Sequence, residues 1–108
     1  MSTFDEREQG FERKFAHDAE MQFKAEARRN KLLGLWAAEK MGLTGDAAEA
    51  YAKEVIAADF EEVGDEDVYR KVSGDFDAKG ISVAEADIRA QMSTLLTEAK
   101  AQLFNEAD

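Results

Sequence analysis

Asn30-Lys31-Leu32-Leu33-Gly34-Leu35-Trp36-Ala37-Ala38-Glu39 decides the fold of this chain. Leu32, Leu33, Leu35, Trp36 and Ala37 fall too close together for one face of a helix. They spread around much of its circumference, so a helix here is buried on more than one side. Phe23 and Ala27 extend the pattern upstream, which predicts a core helix over roughly Ala19 to Met41. Gly34 stands inside it, where glycine weakens a helix. The expected compensation is packing, a neighbouring helix coming close at that point. Gly42 supplies the stop.

Downstream, three more helices follow by periodicity. Thr44 is the expected N-cap of the next. Ala48, Tyr51, Ala52, Val55, Ile56 and Phe60 then form its apolar stripe, and Gly64 is the expected end. Asp65 is the expected cap of a segment carrying Val68, Tyr69, Val72 and Phe76, closed by Gly80. Ser82 with Glu85 matches a capping box, and Ile81 with Ala86 a hydrophobic staple. The last helix shows Ile88, Met92, Leu95, Leu96, Ala99 and Leu103, with the final Asn105-Glu106-Ala107-Asp108 expected to fray. Short connections imply antiparallel neighbours. The fold class is all-α, a small four-helix bundle over residues 20–108.

Upstream, the chain changes character. Phe4, Phe11 and Phe15 sit at i, i+7 and i+11, on one narrow helical face, in a segment otherwise nearly all polar. Thr3 and Glu6 fit a capping box. Gly10 costs this helix about 1 kcal/mol relative to alanine. A short helix of this quality is marginal in water. Residues 1–19 therefore read as a mobile, partly helical arm that orders on a partner, its rings serving as groove anchors.

At 108 residues the chain is one domain. It has no Cys, hence no disulfide framework or thiolate metal site, and no Pro. No apolar run reaches membrane-spanning length and the start does not read as a signal peptide, so a soluble cytoplasmic protein is expected. The net charge is −10, and all of it arises from Leu32 onward, because seven acidic and seven basic residues cancel up to Lys31. An acidic body disfavours nucleic acid and anionic membranes. Arg28, Arg29 and Lys31 read as a solvated helix face.

Little here suggests chemistry. Asp75-Phe76-Asp77-Ala78-Lys79-Gly80 imitates an EF-hand loop at positions 1, 3 and 6. Lys79 then stands at position 5 and Ala86 at position 12, where an oxygen ligand and the bidentate carboxylate belong. It reads better as a helix end. The acidic run from Asp59 to Asp67 reads as solvated charge at a helix junction. His17 is the single histidine and reads as polar surface, so no metal site is expected. No phosphate-binding loop of the GxxxxGK or GxGxxG type occurs, and no nucleophile motif. Trp36 reads as core.

The wording of the sequence adds a resemblance. Phe4-Asp5-Glu6-Arg7-Glu8 and then Phe11-Glu12-x-Lys14-Phe15-Ala16-His17-Asp18, with position 13 outside the match, resemble the start of the zeta subunit of alphaproteobacterial F-type ATP synthase. Residues 30–39 quoted above, Tyr51-Ala52-Lys53, Ala58-Asp59-Phe60-Glu61-Glu62, Asp65 through Val72 and Asp77 through Ser82 continue it. The resemblance implies a non-enzymatic inhibitor of the ATPase head. Its inhibitory segment would enter a catalytic subunit interface near the rotor and block rotation in the hydrolysis direction. Carried over, it puts Phe4, Asp5, Arg7, Glu8, Phe11, Lys14 and Phe15 at the partner surface, and Arg13, between matched positions, joins them by its place in the segment. The implied partners are the alpha and beta subunits of the head and the gamma subunit of the rotor. The protein would be monomeric when free and reach the inner membrane only through the synthase. Two other readings stand beside it. One is a small-ligand, nucleotide-sensing module, with weak nucleotide binding left open and no cofactor. The other is an acidic adaptor with a weak inhibitory arm.

Overall fold

A computed structural model describes residues 19–59 and 65–107. They form four helices: α1 (Ala19–Lys40), α2 (Gly45–Ala58), α3 (Glu66–Ala78) and α4 (Glu85–Ala107). The expected helix ends at Phe60 and Gly64, and the arm up to Asp18, lie outside the described residues; Ala19, its last residue, opens α1.

The bundle is organised around α1. That helix packs on all three others, whereas α2 and α4 do not approach each other. The breadth of its apolar surface is the reason: a helix apolar on several sides accepts several neighbours. The core joins Leu33, Ala37 and Ala38 of α1 with Tyr51 and Val55 of α2. Val68, Val72 and Phe76 of α3 and Ile88, Met92 and Leu95 of α4 complete it. Each fully buried aliphatic here contributes about 1.5–3 kcal/mol over its exposed state. A smaller cluster, Ala25 with Leu103, holds the first turns of α1 to the last turns of α4, flanked by Met21, Leu96 and Phe104.

Gly34 has the packing role its position predicts. A Cβ built there would lie 2.6 Å from Ala52 Cα, 3.1 Å from Ala52 Cβ and 3.3 Å from Val55 Cγ2. Gly34 and Ala52 each stand about 10 Å back along their helix from the intervening turn, at the usual rise per residue. The two helices therefore run antiparallel. Tyr51 opposite Asp75 and Glu54 opposite Lys71 give the same sense to α2 and α3.

Of the three predicted glycine stops, the two within the described residues, Gly42 and Gly80, are present. Gly42 has φ +78° and Gly80 φ +71°, a region L side chains avoid. Leu43 N–H donates to Ala38 O and Gly42 N–H to Glu39 O; Ile81 N–H donates to Phe76 O and Gly80 N–H to Asp77 O. This is the Schellman pairing, completed by Leu43 and Ile81 packing on the core.

Other expectations are corrected. Thr44 and Asp65 hold the N-cap positions, but neither side chain makes a cap hydrogen bond. The last helix starts at Glu85 rather than after Ser82, so the Ser82 capping box is displaced. Glu85 accepts from Arg89 Nε at 2.8 Å instead. Ile81 packs on the core, yet its expected staple partner Ala86 is exposed. The C-terminal residues are helical through Ala107, with Glu106 paired to Arg28. Phe23, placed in the apolar pattern, is 55% exposed.

Trp36 is half-buried rather than interior. Its ring meets Phe76 edge to face, with centroids 5.8 Å apart at 77°. Lys40 Nζ lies 5.2 Å from the ring centroid. Small Ala37 and Ala38 take the innermost places, leaving the large indole at the margin of the core.

Candidate functional site

The residues singled out at the partner surface, Phe4, Asp5, Arg7, Glu8, Phe11, Arg13, Lys14 and Phe15, lie outside the described residues, as does His17. Within the bundle, the polar constellation that stands out is one the sequence reading placed elsewhere. Arg29, read as part of a solvated face, is 1% exposed, and Asn30 beside it is fully buried. Arg28 is half-buried and bonds Gln102 and Glu106 of α4; only Lys31 of the three is exposed. A signal was available. Ala25, Arg29, Leu33 and Ala37 recur every four residues, so Arg29 stands on the buried stripe of α1.

Arg29 is accommodated in the interior because it is paired. Its Nη2 donates to Asp65 Oδ1 at 2.8 Å and its Nε to Asn30 Oδ1 at 2.6 Å. An arginine cannot shed its proton, so burial without such partners would be prohibitive. This explains why Asp65 gives no cap to α3: its carboxylate is spent on Arg29. The pair ties the middle of α1 to the start of α3.

More carboxylates surround it. Asp67 is buried, and its Oδ1 accepts from Val68 N–H at 2.9 Å. Glu26 is raised above the ordinary carboxylate range by desolvation and then by the charges of Asp59 and Asp65; Arg29 and Lys100 oppose this. Asp59 is raised by desolvation, with Asp67 and Asp65 adding to it and Asn30 and Arg29 opposing. Asn30 Nδ2 makes no hydrogen bond of standard geometry among the described residues. It still bears on the Asp59 carboxyl from close range.

Beside this cluster a cleft of about 220 Å³ opens between Arg29, Asp65, Arg89, Met92, Ser93 and Leu96. Its second arginine is also engaged: Arg89 pairs with Glu66 at 3.0 Å and Glu85 at 2.8 Å, and stacks 4.2 Å over the Tyr69 ring. Between α2 and α3, Tyr51 Oη donates to Asp75 Oδ2 at 2.8 Å. Lys71 bridges Glu54 and Asp75 at 2.9 and 3.0 Å. The Tyr51 hydroxyl is pushed well up, by burial first and by Asp75 second. Asp75, the first position of the calcium-like stretch, is therefore spent on helix pairing, and Gly80 on a helix end. Among the described residues no cluster of His, Cys, Asp or Glu has the makings of a metal site.

Arg28, Arg29, Tyr51, Lys71 and Arg89 thus join helix to helix. Fold and cluster define an acidic four-helix module at the end of a phenylalanine-bearing segment.

The chain belongs to the ATPase inhibitor subunit zeta family, whose model matches residues 1–102 and so takes in the N-terminal segment together with the bundle. It is also similar to a protein solved by solution NMR, at 62% identity and a TM-score of 0.71, over 80% of this chain and 98% of that one. None of the curated proteins compared with it matches. The family is one of inhibitor subunits of an ATPase, which agrees with the resemblance carried by the sequence. No described helix is long and apolar enough to cross a membrane.

Proposed function

We propose that this protein inhibits ATP hydrolysis by an F-type ATP synthase, with residues 1–19 as the inhibitory segment. The observation that carries the reading is the extent of the family match. It begins at residue 1 and runs unbroken through the segment whose Phe4, Phe11 and Phe15 share a helical face. That segment enters the interface between catalytic subunits beside the rotor. Phe4, Phe11 and Phe15 fill apolar pockets there, and Asp5, Arg7, Glu8, Arg13 and Lys14 make rim contacts. The division of charge supports this: the neutral first third suits insertion between subunits, while the acidic body stays outside as a bulky stop. The protein performs no chemistry of its own in this scheme. It acts by occupying a geometry the rotor must pass.

The test is ATP hydrolysis by the cognate ATPase, titrated with the full chain and with a version lacking residues 1–19. Inhibition should be lost on truncation, while circular dichroism and melting of the bundle stay close to those of the full chain. Equal inhibition by the truncated protein would move the inhibitory surface to the bundle.

A further inference from the structure

We propose that the surface engaging the ATPase head runs past the arm on to the first two turns of α1, where Phe23 is a further apolar anchor. This rests on the arm as the inhibitory segment and adds to it a contact made by the folded bundle.

Phe23 is the one large apolar side chain left exposed among the described residues, at 55%. Single exposed apolar residues are ordinary on a protein surface. The place of this one in the fold gives it a use. Phe23, Ala27, Asn30 and Gly34 recur at steps of four, three and four, so they share one side of α1. That side faces α2, because Gly34 meets Ala52 there. Ala58, the last residue of α2, lies six residues past Ala52, and Arg28 lies six before Gly34. In antiparallel helices of equal rise the two stand level. The helix α2 therefore stops opposite Arg28, while α1 reaches back to Ala19, roughly 13 Å further at 1.5 Å per residue. Along the row Gly34 and Asn30 are buried, Ala27 is half-buried and Phe23 opens to solvent beyond the end of α2.

The overhang is braced on its other side. Ala25 and Met21 pack against Leu103 and its neighbours at the end of α4, and Arg28 bonds Gln102 and Glu106. These turns form a ledge that presents Phe23 at a fixed position.

The occupant follows from where the arm joins. The arm ends at Ala19, and Phe23 stands four residues on within the same helix, about 6 Å along its axis. A partner that holds the arm in a groove therefore faces Phe23 across little more than one helical turn. The stretch of zero net charge, suited to insertion, continues to Lys31 and so takes in the whole ledge. The rim of the subunit interface that receives the arm thus meets Phe23, with an apolar patch as its counterpart. Aromatic side chains are enriched in such contacts.

The test measures inhibition of ATP hydrolysis by the cognate ATPase, with full-length chains throughout. Phe23→Ala should weaken inhibition by about tenfold and Phe23→Leu should restore most of it. Lys53→Ala, at an exposed position of α2, should match wild type. Melting of Phe23→Ala should stay with wild type, since the ring is exposed. Phe11→Ala separates the two readings. Inhibition weakened by Phe11→Ala and untouched by Phe23→Ala overturns the ledge contact and leaves the arm. Full inhibition by both variants overturns the arm anchors as well. Photo-crosslinking decides the matter should Phe23→Ala melt early. Benzoylphenylalanine placed at position 15 or 23 of the inhibiting chain should attach to a subunit of the head, and at position 53 it should not. Adducts from position 15 with none from position 23 overturn the proposal.

Discussion

Gly34→Ala should destabilise the bundle although alanine is the better helix former. Helix propensity alone favours the change by about 1 kcal/mol. The added methyl, however, would sit 2.6 Å from Ala52 Cα and 3.3 Å from Val55 Cγ2. Non-bonded carbons settle near 3.5–4.0 Å. Relief therefore requires α2 to retreat by about 1 Å, and the nearest obstacle is backbone, which no rotamer change can move. Retreat would loosen Tyr51, Ala52 and Val55, all buried against α1. Overpacking of this kind costs about 1–3 kcal/mol. With the close approach to backbone placing this site at the upper end, the net loss is about 1–2 kcal/mol after propensity is returned. In a domain of this size that lowers the melting midpoint by roughly 5–15 °C. Gly74→Ala is the internal control. Gly74 lies in α3, exposed, with nothing within 4 Å of an added Cβ. It should gain about 0.5–1 kcal/mol from propensity alone. Urea denaturation of both variants, with equal slopes, gives the comparison. Gly34→Ala gaining stability like Gly74→Ala would refute the close α1–α2 contact.

Asp65→Ala should cost about 1–3 kcal/mol, because it strands the Arg29 guanidinium in the interior while the half-exposed Asp65 side still admits water; urea midpoints would show it, and a silent substitution would mean Arg29 finds another acceptor. Trp36→Ala should cost about 2–3 kcal/mol, below the range for a fully buried tryptophan, since the indole sits at the margin of the core; complete loss of helical far-ultraviolet circular dichroism at about 25 °C would contradict that placement. In hydrolysis assays, Phe11→Ala or Phe15→Ala should each weaken inhibition by about 2 kcal/mol, roughly thirtyfold, while Glu12→Ala costs far less. The reverse order would mean that the arm binds through its charges.

The four helices were readable in the sequence because each carries its own local signal. Apolar spacing set the stripes of α2, α3 and α4, and Gly42 and Gly80 marked ends where the backbone turns into the left-handed region. Gly34 announced a close neighbour, since a glycine inside a helix needs a compensating contact. The family resemblance was equally a property of the words in the chain. What the sequence left open was the destination of side chains with more than one use. Asp65 stands where a cap belongs, and only the approach of α1 diverts its carboxylate to Arg29. Arg28 and Arg29 are adjacent and alike in sequence, yet one bonds to α4 near the surface and the other is interior, because neighbouring residues on a helix point about 100° apart. Trp36 yields the centre to alanines because the helices come too close there for an indole. Pairing of charges and allocation of interior space depend on which helices meet and at what distance, and those are set by the packing of the whole bundle.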